Sequence, residues 1–451
     1  MGELKSRLRA LPEKHGRMTL ALLLMILGLG FGFRAYRVVE PLGTPGDDAH
    51  AYYALSKSLY EEGSFGGPEF TGASDWSPGA PLLYAGAFYA TGGAREGTAR
   101  IVELLLGMAA IVVVFLLGLR IASRPAALLA AVAVAVYPPF IHSTGALYSE
   151  PLAILTLPAS VLSFLWAAEQ RRLRAWLVPG LLLGVTAMAR PEYLAVAAAF
   201  VLLGAVRVGR ARGWRPGVSG AALMVVGILV PIAPWTVRNI AVLHRVVPIS
   251  TGDGKALYVG TYLPADGEYQ RVKALLEERY GHRRLDPYSE ALERVNPTPL
   301  FNRIAERYPE LPRDQALGKI GKEDLSKYFG EDPWGYLAMT VRKVGRIWSS
   351  GPGEAMSSTA GRVVQMLIVL LGLVGLALLA LRQRWWELLT MATPIVIVTA
   401  VGAVSLAAPR RNEVLMTLVF PLAAAAMARA GGALSSSGSW SSPPPASSQP
   451  N

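Results

Sequence analysis

Apolar runs long enough to cross a bilayer recur along this chain. A hydrocarbon core of ~30 Å takes about 20 residues of helix, and a buried backbone in lipid has few other ways to satisfy its hydrogen bonds. Ten spans are read at residues 18–38, 99–121, 125–141, 147–166, 175–189, 193–206, 218–236, 363–381, 388–407 and 414–428. A soluble helical bundle needs a polar stripe on each helix. Residues 20–29 and 111–119 contain no polar side chain at all. The composition agrees: 52% of the 451 residues are hydrophobic and 17% charged, against about a quarter charged in soluble domains. An ordinary soluble enzyme is excluded. The expected fold class is an all-α polytopic membrane protein.

Charge then sets orientation. The chain carries a net charge of +12, which in a soluble protein would point to nucleic acid. In a membrane protein the same excess is the positive-inside bias, so no nucleic-acid partner is expected. Lys5, Arg7, Arg9, Lys14 and Arg17 precede the first span. Arg120 and Arg124, Arg171, Arg172 and Arg174, Arg207 to Arg215, and Arg382 and Arg384 lie in later short connections. All fall on one side if the spans alternate. That side is read as cytoplasmic, with both termini inside and segments 40–98 and 237–362 outside. No A-x-A-type site follows Phe33, so the first span is read as uncleaved. A multi-pass bacterial cell membrane protein is expected. With no cysteine in the sequence, disulfide frameworks and cysteine-based metal sites are excluded.

The organisation reads as a basic tail (1–17), seven spans with a catalytic first outer loop 40–98 (18–240), and an outer-face segment (241–333). An amphipathic helix (334–350), three spans (351–430) and a disordered Ser/Pro-rich tail (431–451) follow. Asp48, Tyr52, Leu55 and Leu59 share one face of a helix on the outer surface. Trp334, Leu337, Val341, Val344 and Trp348 form a stripe opposite Arg342, Lys343 and Arg346, as in a helix lying at the interface. Residues 261–332 are charged and helix-prone. Gly28, Gly30 and Gly32 sit in an apolar helix without a preceding strand, which favours close helix packing over a dinucleotide loop.

Ionisable groups at a membrane edge are costly and therefore informative. Asp47, Asp48, His142, Glu150, Arg190, Glu192, Arg238, Arg410 and Arg411 all crowd the outer side. Asp47 suits a helix N-cap, whereas Asp48, on the face of Tyr52, points to the bundle. The adjacent pair would also suit a divalent metal, although two neighbouring acids are a weak signal. Arg410 and Arg411 lie outside, against the topological bias, where guanidinium groups match phosphate oxygens in pairs. Snorkelling to outer headgroups is the alternative. Arg190 and Glu192 flank Pro191 as a candidate ion pair, Glu150 is a helix-start acid, and His142 reads as a polar contact.

The order of motifs resembles a known family. Asp48-Ala-His-Ala-Tyr52 and Ser77-Pro78-Gly79-Ala80-Pro81 are similar to the first outer loop of GT-C glycosyltransferases, nearest the family 39 type related to dolichyl-phosphate-mannose protein mannosyltransferases. Tyr148-Ser149-Glu150-Pro151, Ala189-Arg190-Pro191-Glu192, Pro234-Trp235-Thr236-Val237-Arg238-Asn239, Gly254-Lys255-Ala256-Leu257-Tyr258 and Pro409-Arg410-Arg411-Asn412 look like its later motifs. The similarity runs from about residue 18 to 428. Where that family often has Asp-Glu, this chain has Asp47-Asp48, which leaves open which carboxylate is the base. Arg410-Arg411 lacks the aromatic usual between the basic residues, which leaves open which arginine meets the phosphate.

The resemblance implies a GT-C fold and an inverting transfer of a sugar from a polyprenyl-phosphate donor to a glycan, lipid or protein hydroxyl on the outer face. It implies Asp48 or Asp47 as base, with Arg411, Arg410 and Arg238 at the donor phosphate. Glu150, Arg190, Glu192, Tyr52 and His142 would support them. No cofactor is required, a divalent metal being the alternative; the partners are the donor, the acceptor and membrane lipids. Two rivals differ. A polymerase or ligase using a lipid diphosphate would more plausibly need a metal. A transporter or flippase would carry its charges near the midplane on repeated, broken helices, and neither feature is found here.

Overall fold

The computed structural model describes residues 13–40, 47–66 and 75–437, and every regular element among them is helical. Most of both expected tails, residues 1–12 and 438–451, lies outside the described residues. Helices α1 (Glu13–Val39), α4 (Glu96–Ile121), α6 (Glu150–Ala167), α8 (Tyr193–Arg212), α9 (Trp214–Leu243), α15 (Thr359–Leu381), α16 (Trp385–Val404) and α17 (Arg410–Ser437) include eight segments long and apolar enough to cross a membrane. Two shorter apolar helices join them: α5 (Arg124–Val136) and α7 (Leu177–Ala189), the latter entered through a 3-10 turn. Each of the ten apolar runs thus forms an apolar helix among the described residues. α5 falls short of its predicted end because Pro138 and Pro139 follow Tyr137, and the residue before a proline is pushed out of the helical region.

Small residues set how closely these helices approach. A Cβ at Gly180 of α7 would lie 2.3 Å from the Met224 carbonyl oxygen on α9, and one at Gly227 of α9 would lie 2.5 Å from the Leu177 carbonyl oxygen. Glycine is therefore required on both sides of this crossing. The Gly28-Gly30-Gly32 run does less than expected. Only Gly30 meets the bundle, against Ile111, while Gly28 and Gly32 face open space. Residues two apart on a helix point to different faces, so the run cannot form one packing seam.

The basic connections gather at one end of the bundle. Arg120 pairs with Glu169 at 2.7 Å and Glu387 at 3.3 Å, and Arg384 donates to the carbonyls of Ile121 and Arg120. At the opposite end sit α2 (Asp47–Glu62), α3 (Gly79–Thr91) and a helical module. The module holds α10 (Asp253–Thr261), α11 (Tyr269–Tyr280), α12 (Pro297–Ala305) and α13 (Arg313–Glu331), and has its own apolar core around Tyr258, Val272, Leu292, Phe301 and Leu317. Helix α14 (Pro333–Trp348) leaves Trp334, Leu337 and Val341 exposed but fully buries Lys343.

Lys343 is a three-way tie. Its ammonium donates to the carbonyls of Gly260 on α10 and Ala403 on α16, each at 2.7 Å, locking the module to the bundle. Burial, reinforced by Arg346 and Arg411, pushes Lys343 down to about 7. An unfolded lysine titrates near 10.4, so between these values the unfolded chain binds the extra proton and stability climbs with pH. The thermal midpoint should rise from pH 7 to pH 9 in the wild type, and the rise should be smaller in Lys343→Met. Parallel pH profiles for the two proteins would contradict this.

Candidate active site

Four helix ends converge at the module end of the bundle. Pro151 in the first turn of α6 pre-sets that helix start, and Glu150 there is favoured by the positive end of the helix dipole. Pro191 forces Arg190 into an extended conformation and so ends α7. Pro409 precedes α17, whose first residues are Arg410 and Arg411. Asp48 lies in the first turn of α2, above the buried Tyr52 and Leu55.

These ends are joined by charge. The guanidinium of Arg410 donates to both oxygens of Glu150, Nε to Oε1 at 2.9 Å and Nη2 to Oε2 at 3.0 Å. Its Nη1 donates to Oδ2 of Asp48 at 2.5 Å. Glu150, with no exposed side chain, also accepts from Nη1 of Arg190 at 2.5 Å. Arg190 turns Nε and Nη2 to Oε1 of Glu192, at 3.0 and 2.9 Å. Burial disfavours the Glu192 charge, but Arg190 and Arg411 overcome that and hold its carboxyl down to about 2. Burial also opposes the charge on Arg190, and Glu192 and Glu150 more than compensate, so its pKa is raised.

Two groups in this network keep unmet hydrogen-bonding capacity or exposure. Asp48 keeps 40% of its side chain exposed. Nη1 of Arg411 is buried without a hydrogen-bond acceptor; Oε1 of Glu192 stands 3.9 Å away and Ser405 accepts from Nη2 instead. The ring of Tyr148 lies under Arg410, 4.4 Å from its central carbon, and steadies it by cation–π attraction.

The remaining sequence candidates take varied places. Tyr52 packs edge-on to Trp76 at 5.5 Å, and burial with the charges of Glu150 and Asp48 pushes its hydroxyl up to about 12. His142 is held below its ordinary value by burial and by Arg37 and Arg410. Arg238 donates to the Phe65 carbonyl at 3.0 Å and packs on the rings of Phe65 and Trp235. These contacts pin the segment after α2 to α9 and lie outside the Asp48–Arg410 cluster. Asp47 opens α2, one position inside the helix it was expected to cap.

Sequence reasoning passed over several neighbours. Asp253 and Lys255 stand at the start of α10. Desolvation by the surrounding protein raises the Asp253 carboxyl, as does Glu192, and desolvation lowers the Lys255 ammonium against the pull of Asp48. Lys255 already stood in a quoted motif. Glu103 and Glu413 are buried acids within or beside apolar runs, and the rule that flagged Glu150 would have found them.

Residues 75–237 match the family model described as dolichyl-phosphate-mannose-protein mannosyltransferase. Among solved structures, the archaeal oligosaccharyltransferase AglB from Archaeoglobus fulgidus, in complex with an inhibitory peptide and a dolichol-phosphate, superposes with a TM-score of 0.53 at 12% identity. The match covers 92% of this chain and 51% of that one. The chain shares the fold of that oligosaccharyltransferase's matched half. The chain spans about half the length of the oligosaccharyltransferase it matches. ArnT from Cupriavidus metallidurans in the apo state matches more loosely, with a TM-score of 0.37 at 14% identity over 92% of this chain and 78% of that one. No curated protein matches the chain in sequence. Glu150, Arg190 and Glu192 lie within the family match, whereas Asp48, Arg410 and Arg411 lie outside it.

Proposed function

We propose that this chain is an inverting glycosyltransferase that moves a sugar from a polyprenyl-phosphate donor to an acceptor hydroxyl of an envelope glycan, lipid or protein. The observation that carries this reading is the pairing of a half-exposed carboxylate, Asp48, with Arg410 beside a buried, unsatisfied arginine nitrogen of Arg411. A lipid-held donor keeps its chain in the bilayer while its headgroup reaches the edge of the bundle, where these groups sit. The acceptor oxygen attacks C1 of the sugar, Asp48 takes the hydroxyl proton, and the bond from C1 to the phosphate oxygen breaks. The departing lipid phosphate gains negative charge. Arg411, with Arg410, stabilises it there.

Glu150, Arg190 and Glu192 hold the two arginines in place, with Tyr52 and His142 as supporting neighbours. The Lys255 ammonium lies over the rings of Tyr269 and Phe301 and feels the charge of Asp48, and the module suits acceptor selection. The site lies on the outer face and the basic end of the bundle in the cytoplasm, in keeping with the arginines gathered around Arg120 and Arg384. Protease added outside sealed right-side-out vesicles should cut the 261–332 segment and spare the C-terminal tail; the reverse pattern would overturn the orientation.

Donor binding tests the phosphate site. Arg411→Ala removes one charged donor, a loss of about 1.5–3 kcal/mol, so affinity for a polyprenyl-phosphate sugar should fall roughly 10- to 150-fold. Equal affinity in folded wild-type and variant protein would show that Arg411 does not hold the phosphate.

A further inference from the structure

Glu103 lies within α4, far along the sequence from every residue of the site, and is wholly buried. Its carboxylate is surrounded by donors. The Tyr84 hydroxyl donates to Oε1 at 2.7 Å, and the backbone N–H groups of Gly145, Leu147 and Tyr148 donate at 2.6, 3.2 and 3.0 Å. The three N–H groups converge because Gly145 and Leu147 both adopt left-handed conformations, with φ of 82° and 58°. Leucine rarely does so. A Cβ at Gly145 would also lie 2.8 Å from the Arg37 carbonyl oxygen, so the turn is pressed against the end of α1. The three backbone N–H groups can only donate and between them engage both oxygens, while the Tyr84 hydroxyl can also turn to the Tyr148 carbonyl at 3.0 Å; a glutamine would aim its own N–H at a backbone donor.

The turn that Glu103 organises runs directly into the site. Its last residue, Tyr148, supports the Arg410 guanidinium, and two residues later Glu150 accepts from both Arg410 and Arg190. We propose that Glu103 is a positioning residue for transfer, folding the 145–148 turn around its carboxylate so that Tyr148 and Glu150 aim Arg410 at Asp48. As a statement about catalysis this rests on the glycosyltransferase reading above; as a statement about the turn it does not.

The test separates the two. In Glu103→Gln, backbone amides of residues 145–148 should exchange with deuterium faster than in the wild type, whatever the protein catalyses. With a polyprenyl-phosphate sugar, kcat should fall on the order of 10–100-fold while the donor KM stays within about threefold, since a misaimed group costs rate more than binding. Combined with Tyr148→Leu, the loss should be well below the product of the single losses, because both changes act on Arg410. General destabilisation would not produce that shortfall. Wild-type protein that releases no lipid phosphate would sink the glycosyltransferase reading and leave the exchange measurement to decide on Glu103. Unchanged amide protection in Glu103→Gln overturns the positioning role, as do a wild-type kcat or fully multiplicative losses in an active enzyme.

Discussion

Replacing Asp48 by asparagine is expected to lower transfer by roughly 10²–10⁴-fold, the range for loss of a general base. The substitution keeps the side chain's size and leaves an oxygen to accept from Nη1 of Arg410, which now sits 2.5 Å from Asp48. What it removes is the capacity to take a proton. Donor binding should therefore change little and kcat should carry the loss. Asp47→Asn makes the comparison sharp. Asp47 is the first residue of α2, and if it serves only the helix N-terminus, asparagine should replace it with little loss. Its effect should be mild. A dead Asp47→Asn beside a near-normal Asp48→Asn would move the base by one residue.

Glu150→Gln should produce the largest loss of stability. Glu150 is fully buried and accepts hydrogen bonds from Arg190 and from two nitrogens of Arg410. The three arginines at positions 190, 410 and 411 are balanced by Asp48, Glu150 and Glu192. Removing the buried carboxylate leaves two guanidinium groups sharing acids that are already engaged. Breaking such a pair from one side costs about 3–5 kcal/mol, because the remaining charge stays buried. Thermal unfolding in detergent should shift down clearly, and transfer should fall as Arg410 loses its aim. A variant with wild-type stability would show that the network is solvated and of little structural consequence. Asp48→Asn, at a half-exposed position, should cost far less stability than Glu150→Gln.

The two effects explain what the sequence could and could not reveal. Membrane helices were legible because apolar length is a local property, and α5 ended early only where prolines intervened. The members of the candidate site were legible for a similar reason: Glu150, Arg190, Glu192, Arg410 and Arg411 are charges at the ends of apolar runs, and Asp48 starts an outer-loop helix, each visible alone. Their pairing was not. Arg190 reads in sequence as the partner of Glu192, two residues away, yet it also binds Glu150, 40 residues earlier. Arg238, equally basic and equally close to a span end, turns to Phe65 and Trp235 instead. Lys343 read as part of a solvated face because its neighbours Arg342 and Arg346 are charged; in the fold the module packs over it. Such choices depend on which helix ends meet, and spacing along the chain carries no record of that.

The central claim is that this bundle edge transfers sugar from a lipid monophosphate. Purified protein in lipid nanodiscs should be given polyprenyl-phosphate hexoses and pentoses with envelope acceptors, in buffer with and without chelator, and released polyprenyl phosphate counted per protein molecule. The account predicts many turnovers with at least one donor, undiminished by chelation and abolished to near background in Asp48→Asn. Release that required a lipid diphosphate donor and a divalent metal, or that persisted in Asp48→Asn, would contradict it.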